Sequence, residues 1–264
     1  MTENSTRAIS GLLYVGLILG SLYSGLLYFT IVISVFSVLV LWEYSKLTRQ
    51  QHYLPMICFG LIVVGNYFQW LPGWIGELFI LTALVAALLL SLGLRSKRPF
   101  TSLSLGILSW TYILGGSLAI LELYNQSVPP SYFVVLTYGS IWTNNTFAYV
   151  FGKTWGKRLL APNISPKKSW EGFVGGTLAA IVFNLIFGTY FNGMPWIHAL
   201  VFGGSIGVLA TLGDLVQSQM KRQAKVKDSG SLIPGHGGFF DRMDSIIFTA
   251  PVITGVHLII FYVS

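Results

Sequence analysis

The chain has 264 residues, of which 53% are hydrophobic and only 9% charged, with a net charge of +7 from 16 Lys and Arg against 9 Asp and Glu. A soluble domain carries roughly 25% charged residues, so this composition cannot build a water-facing shell and lipid must solvate much of the surface. The basic excess sits in loops between apolar runs, which argues against nucleic acid and for a membrane.

Apolar runs follow one another along the chain at 8–23, 26–43, 54–70, 74–94, 100–122, 132–151, 172–191, 196–213 and 243–262. Their lengths predict an all-α, polytopic integral membrane protein of about nine transmembrane helices. Arg7 and the apolar residues after it resemble a signal peptide. No A-x-A-like cleavage site follows, however, and equally apolar segments continue to the C-terminus, so the first run reads as a span. Only Leu22 to Ser24 separates the first two runs, which could also read as one long helix or a re-entrant pair. Pro72-Gly73 and Pro129-Pro130 mark tight turns. The chain divides into an N-terminal region, 1–125, with about five spans, and a C-terminal region, 126–264, with about four. The second region carries two long polar loops, 151–171 and 214–242.

The loops give an independent reading of topology. Arg7 precedes span one; Lys46 and Arg49 follow span two; Arg95, Lys97 and Arg98 follow span four. Lys153, Lys157, Arg158, Lys167 and Lys168 follow span six, and Lys221, Arg222, Lys225, Lys227 and Arg242 follow span eight. All 16 basic residues therefore fall on one side, which the positive-inside rule makes cytoplasmic. The N-terminus is then inside and the C-terminus outside. Trp42, Trp70, Trp74 and Trp142, near span ends, read as interfacial anchors. The glycines within 172–176 and 203–207 read as sites of close helix packing. Asn125-Gln126-Ser127 is a glycosylation sequon on the outer side, relevant only in a eukaryotic secretory membrane.

The two long cytoplasmic loops hold the polar chemistry. The second, from Asp214 to Asp244, contains four of the nine acidic residues together with His236. Basic residues alone would serve topology and anionic headgroups. Carboxylates mixed among them fit a polyphosphate with a divalent cation, in which Asp holds Mg²⁺ and Lys and Arg hold phosphate oxygens. Asp241 and Asp244 are three apart and share a helix face, where they repel unless a cation or a basic group lies between them. Arg242 is the alternative, structural partner. Asp214 ends span eight at the membrane boundary, a costly depth for an acid and a functional candidate for that reason. Gly235-His236-Gly237-Gly238 permits close backbone approach ahead of a helix N-terminus and suits an anion; an ordinary helix-entry turn is the other reading. His236 is open between phosphate donor, base and turn residue. Gly152 to Gly156 is one residue short of a P-loop, and neither H-E-x-x-H nor G-x-S-x-G occurs.

The second loop resembles the signature of the phosphatidate cytidylyltransferase family. It reads Ser218-x-Met220-Lys221-Arg222, four residues, Lys227-Asp228-x-Gly230, then Ile233-Pro234-x-His236-Gly237-Gly238-Phe239-x-Asp241-Arg242-Met243-Asp244, with no departure across these 27 positions. Leu212-Gly213-Asp214 and Ile164-Ser165-Pro166-Lys167-Lys168-Ser169-Trp170-Glu171-Gly172 are similar to the family as well. The likeness runs from Trp142 to the C-terminus; the earlier spans match only in general character. The resemblance implies CTP and phosphatidate as substrates, CDP-diacylglycerol and pyrophosphate as products, Mg²⁺ as cofactor with room for a second, monovalent cation such as K⁺, and a homodimer in a bacterial inner membrane. It implies Asp241, Asp214 and then Asp244 as metal ligands. Lys221, Arg222 and Ser218 stand with the reacting groups, and Lys167, Lys168, Ser165, Lys227, Asp228, His236, Gly237, Gly238 and Arg242 with substrate and phosphate.

One element departs from the family. Where the family has Trp-x-x-Asp-x-[FG]-Ala-Tyr, this chain reads Trp142-Thr143-Asn144-Asn145-Thr146-Phe147-Ala148-Tyr149, so Asn145 replaces a carboxylate among the metal positions. Asn keeps the shape and loses the charge, making a weaker metal ligand. Three readings follow: the position tolerates Asn, the protein is a weak or inactive relative, or the substitution was introduced to trap a bound state. Two other functions stay in view. One is a CTP-dependent lipid or polyprenol kinase, and the other is a transporter of anionic substrates, which would place ionisable residues deep in several spans.

Overall fold

The computed structural model describes residues 3–94, 99–125, 131–191, 193–235 and 237–263. Arg95, Lys97, Arg98, the Gln126-Ser127 part of the sequon, Pro129-Pro130 and His236 lie outside the described residues. Among the described residues the chain forms nine helices: α1 (Glu3–Ser24), α2 (Leu26–Thr48), α3 (Tyr53–Tyr67), α4 (Trp74–Gly93), α5 (Ser102–Asn125), α6 (Tyr132–Trp155), α7 (Trp170–Tyr190), α8 (Trp196–Gln223) and α9 (Phe240–Val263). Helices α5 and α7 carry π-helical turns at Ser109–Leu114 and Leu185–Tyr190. The fold is all-α apart from a two-stranded antiparallel hairpin, β1 (Leu159–Ala161) and β2 (Ser165–Ser169). The protein is a membrane protein: six helices, α1, α2, α4, α5, α7 and α8, are long and apolar enough to cross a bilayer. With 15 residues, α3 extends only about 22 Å at 1.5 Å per residue, short of a hydrocarbon core of about 30 Å. A polar run, Thr143-Asn144-Asn145-Thr146, breaks the apolar character of the continuous helix α6.

The first two apolar runs are separate helices. Gly25 divides them with φ at 111°, a conformation open to glycine, and α1 then packs on α2. Side chains of α1 also reach the far end of the sequence. The Ser10 hydroxyl donates to the Pro234 carbonyl at 3.0 Å, and the Tyr14 hydroxyl donates to the Arg242 carbonyl at 3.2 Å.

Helix α8 runs ten residues beyond its expected end at 213. No Gly or Pro interrupts 214–223, and Leu215, Val216 and Met220 stay buried there, so burial continues the helix after the apolar run has ended. Its 28 residues reach about 42 Å, enough to carry its C-terminal turns beyond the lipid. The expected loop 214–242 is thus largely helical at both ends, leaving 224–239 as the connection.

Helix α9 is the hub, packed against α2, α4, α5, α6 and α8. Phe240, Met243, Ile246, Ile247, Phe248 and Ala250 are all buried along it. Helices α6, α7 and α8 form a layered sheaf beside it. The glycine runs make these contacts as expected. A Cβ at Gly176 would stand 2.6 Å from the Asn144 carbonyl of α6, and one at Gly203 would stand 2.7 Å from the Ala180 carbonyl of α7. The tryptophans divide: Trp70 and Trp74 are exposed as anchors, whereas Trp142 is half-buried and packs on Tyr138.

Gly213 sets the α8–α9 distance. A methyl there would lie 2.7 Å from Phe248 Cβ and 2.9 Å from the Asp244 carbonyl. Gly213→Ala is therefore expected to cost about 1–3 kcal/mol, read as a lower unfolding midpoint in detergent. Gly204→Ala, whose methyl meets only Ile181 at 3.7 Å, is expected to leave the midpoint unchanged.

Candidate active site

The extended end of α8 presents Asp214, Gln217, Ser218 and Lys221 at spacings of three, four and seven, which places them on one face. That face meets the first turns of α9, where Asp241 and Asp244 share a side as their spacing predicts. The hairpin supplies Ser165, Lys167 and Lys168. Its base is held by Glu171, whose carboxylate accepts the Lys157 and Arg158 N–H groups at 3.0 and 3.2 Å and pairs with the Arg158 side chain at 3.4 Å. The Ser169 hydroxyl caps α7 by accepting the Gly172 N–H.

These parts enclose a cleft of about 720 Å³ lined by Asn144, Asn145, Ser165, Lys167, Lys168, Asp214, Lys221, Asp228, Asp241, Arg242, Asp244 and Ser245, among others. A smaller cavity of about 180 Å³ lies between α1, α6 and α9, and Asn145, Asp241, Arg242, Asp244 and Ser245 line both. Asp241 and Asp244 therefore stand on a wall shared by two spaces, whereas Asp214 and Asp228 face the larger one only.

Two ion pairs stand in the cleft. Lys168 Nζ lies 2.5 Å from Asp214 Oδ2, and Lys221 Nζ lies 2.7 Å from Asp241 Oδ1. Asp214 Oδ1 also accepts the Ser218 hydroxyl at 3.2 Å. The Gln217 amide joins Lys221 on Asp241 Oδ1, at 3.2 Å. Asp241 Oδ2 accepts the Ser229 N–H at 2.8 Å, the Ser229 hydroxyl at 3.0 Å and the Gly238 N–H at 3.0 Å. Every one of these donors favours the ionised carboxylate. Asp244, buried, accepts the Ser245 hydroxyl.

The donor set suits a hard divalent cation: four carboxylates, those of Asp214, Asp228, Asp241 and Asp244, and the Asn145 amide border one cleft. Among the described residues, however, no three acidic, His or Cys side chains converge closely enough to hold a metal by themselves. That fits the usual Mg²⁺ arrangement, in which one or two carboxylates share the ion with water and substrate phosphates. The residues present fit the cation on those terms.

Not every expected residue lines the cleft. Arg222 is exposed and ties α8 to the hairpin and to its own following turn, with Nε donating to the Ile164 carbonyl at 3.3 Å and Nη1 to the Val226 carbonyl at 3.0 Å. Lys227 is exposed and outside the lining, Ser218 reaches the cleft only through Asp214, and His236 is outside the described residues. Gly237 has φ at 82°, and a Cβ there would stand 2.7 Å from Asp241 Oδ2. The N–H groups after it are already committed: that of Gly238 to Asp241, and those of Phe239 and Phe240 to Glu43. The anion at this helix N-terminus is thus the chain's own Glu43, on α2. Sequence reasoning missed Glu43, Gln217 and Ser229. The helical spacing from Asp214 would have found Gln217; nothing local pointed to Glu43.

Comparison with known proteins agrees with this geometry. The cytidylyltransferase family matches residues 5–260. The phosphatidate cytidylyltransferase of Bacillus subtilis is 32% identical over 261 residues, covering 95% of this chain and 96% of that protein. That of Haemophilus influenzae is 31% identical, covering 93% and 95%. That of Staphylococcus saprophyticus is 33% identical over 185 residues, covering 68% and 70%. With a family match across nearly its whole length and relatives aligned end to end, the chain belongs to the cytidylyltransferase family.

Proposed function

We infer that this protein is a phosphatidate cytidylyltransferase, making CDP-diacylglycerol and pyrophosphate from CTP and phosphatidate. The observation that carries the reading is a single cleft, bordered by signature residues, in which Asp214, Asp241 and Asp244 face Lys168 and Lys221. In this reading a phosphate oxygen of the lipid attacks the α-phosphorus of CTP. The new oxygen–phosphorus bond forms as the bond from the α-phosphorus to the bridging oxygen breaks, and pyrophosphate leaves with that electron pair. The attacking phosphate is already ionised near neutral pH, so no strong general base is needed. The obstacle is repulsion between anions, which positioned charge relieves.

Lys168 and Lys221 then exchange their carboxylate partners for phosphate oxygens, and Lys167, on the exposed strand, meets the outer phosphates. Asp214 and Asp241, with Asp244, would hold Mg²⁺, which when bound neutralises phosphate charge and orients the leaving group. Ser218 keeps Asp214 in place. Arg222 holds the hairpin against α8, so its share in the reaction is indirect. The reading further comprises nine spans, a cytoplasmic N-terminus, an outer C-terminus and a cleft facing the cytoplasm of a bacterial inner membrane. It is supported by the one-sided placement of all 16 Lys and Arg. A homodimer belongs to the same reading.

Labelled CTP separates this activity from a CTP-dependent lipid kinase, since pyrophosphate and a CDP-lipid mark the first, CDP and a phospholipid the second. Asp241→Ala is expected to abolish CDP-diacylglycerol formation while the protein still inserts in the membrane; retained turnover would sink the ligand assignment. Chelation of divalent cations is expected to stop turnover, and Mg²⁺ to restore it. Asn145→Asp is expected to raise kcat markedly if the cleft wants a carboxylate there, whereas an unchanged kcat would mark the position as tolerant.

A further inference from the structure

Glu43 is 1% exposed on the cytoplasmic half of α2 and is 186 to 197 residues away in sequence from every group it accepts from. Oε1 accepts the Phe239 N–H at 3.0 Å, and Oε2 accepts the Phe240 N–H at 2.9 Å and the Ser229 hydroxyl at 3.0 Å. No Lys or Arg pairs with it among the described ion pairs. A buried carboxylate without a cation is costly unless donors surround it, and here the N-terminus of α9 supplies them.

The chain has cleared space for this carboxylate. A Cβ at Gly230 would stand 2.5 Å from Glu43 Oε1, and one at Gly238 would overlap the same side chain. The aromatic residues that present the N–H groups are themselves fixed, with Phe239 4.9 Å from Phe36 and Phe240 6.1 Å from Tyr44 between ring centres.

The two segments that Glu43 holds, at Ser229 and at Phe239–Phe240, also carry donors to Asp241. Ser229 donates its N–H to Asp241 Oδ2 at 2.8 Å, and its hydroxyl, with one proton to give, lies 3.0 Å from both Asp241 Oδ2 and Glu43 Oε2 and bridges them. Gly238, the third donor to Oδ2, immediately precedes the two residues bound by Glu43. Glu43 lines neither the large cleft nor the small cavity.

We propose that Glu43 is a positioning residue for nucleotidyl transfer. It fixes the Ser229 and Gly238–Phe240 segments so that Asp241 Oδ2 is satisfied within the protein and Oδ1 is aimed at Lys221 and the cleft. The proposal rests on the reading that Asp241 stands at the reaction centre. An ångström of drift there is costly, because in-line transfer needs the reacting groups held in a narrow geometry.

The test is a double-mutant cycle on the full-length protein in mixed micelles. Glu43→Gln keeps the size but turns one acceptor oxygen into a donor, and Ser229→Ala removes the bridging hydroxyl and keeps the N–H. Glu43→Gln is expected to lower kcat about 10- to 100-fold with KM for CTP changed less than about threefold, and Ser229→Ala to lower kcat about five- to tenfold. The double variant is expected to be no slower than Glu43→Gln alone, because both act through one contact.

Mn²⁺, titrated by electron paramagnetic resonance without substrate, is expected to bind several-fold more weakly to both variants. Losses that multiply in the double variant, or Mn²⁺ affinity that stays fixed while only the unfolding midpoint falls, would overturn the proposal. If Glu43→Gln fails to fold, Ser229→Ala decides alone, and unchanged kcat and Mn²⁺ affinity would overturn it. Turnover retained by Asp241→Ala would instead remove the underlying reading, so the two failures are distinguishable.

Discussion

Lys221 and Asp241 face one another across α8 and α9 at 2.7 Å, with side chains only 10% and 7% exposed. Two charges removed from water in this way carry a large desolvation cost, and the pair is stable only because its geometry is close and the remaining acceptor sites are filled. Much of the structure around the cleft follows from that requirement. Gln217 shares Oδ1, while Ser229 and Gly238 saturate Oδ2. The turn bearing Ser229 and Gly238 needs its own anchor, and Glu43 provides it from α2. Lys221 and Lys168 are held by carboxylates, partners of the same charge as a phosphate.

The burial of these charges also explains where the protein is tightly built. At the α8–α9 contact Gly213 lets the backbones approach, and at the α6–α7 contact Gly176 does the same beneath Asn144. Close backbones set the depth at which Asp214, Asp244 and Asn145 meet. The outward faces of the same helices carry Leu, Val, Ile and Phe that only lipid can solvate, such as Leu178, Val182, Ile186 and Val201. Polar precision is thus confined to one end of an otherwise oil-facing bundle.

Much of this was legible in the sequence. The apolar runs located every helix, the spacing of Asp241 and Asp244 placed both on one face, and the mixed-charge composition of the Asp214–Asp244 stretch marked the cleft. The end of α8 was misjudged because hydropathy falls after Gly213 although burial by protein does not; Leu215, Val216 and Met220 hold the helix where lipid no longer does. The short hairpin was hidden in a segment of Lys, Pro and Asn that reads as loop. The glycine turn before α9 read either as an opening for a bound anion or as an ordinary helix-entry turn, and its N–H groups are taken by Asp241 and Glu43. That contact joins residues nearly two hundred positions apart, and no period or motif near Glu43 encodes it.

The grip of α1 on the far end of the sequence has a consequence for biogenesis. Ser10 and Tyr14 bond to carbonyls of Pro234 and Arg242, residues 224 and 228 positions later. Chains are synthesised from the N-terminus and elements assemble as they emerge, so α1 enters the bilayer long before the turn it holds exists. Its hydroxyls meet these carbonyls only once α9 has been synthesised and packed among helices already in place. The catalytic wall is consequently the last part of the molecule to be completed. A nascent chain stopped short of α9 is a bundle with lysines on α8 and the hairpin and no Asp241 to receive Lys221.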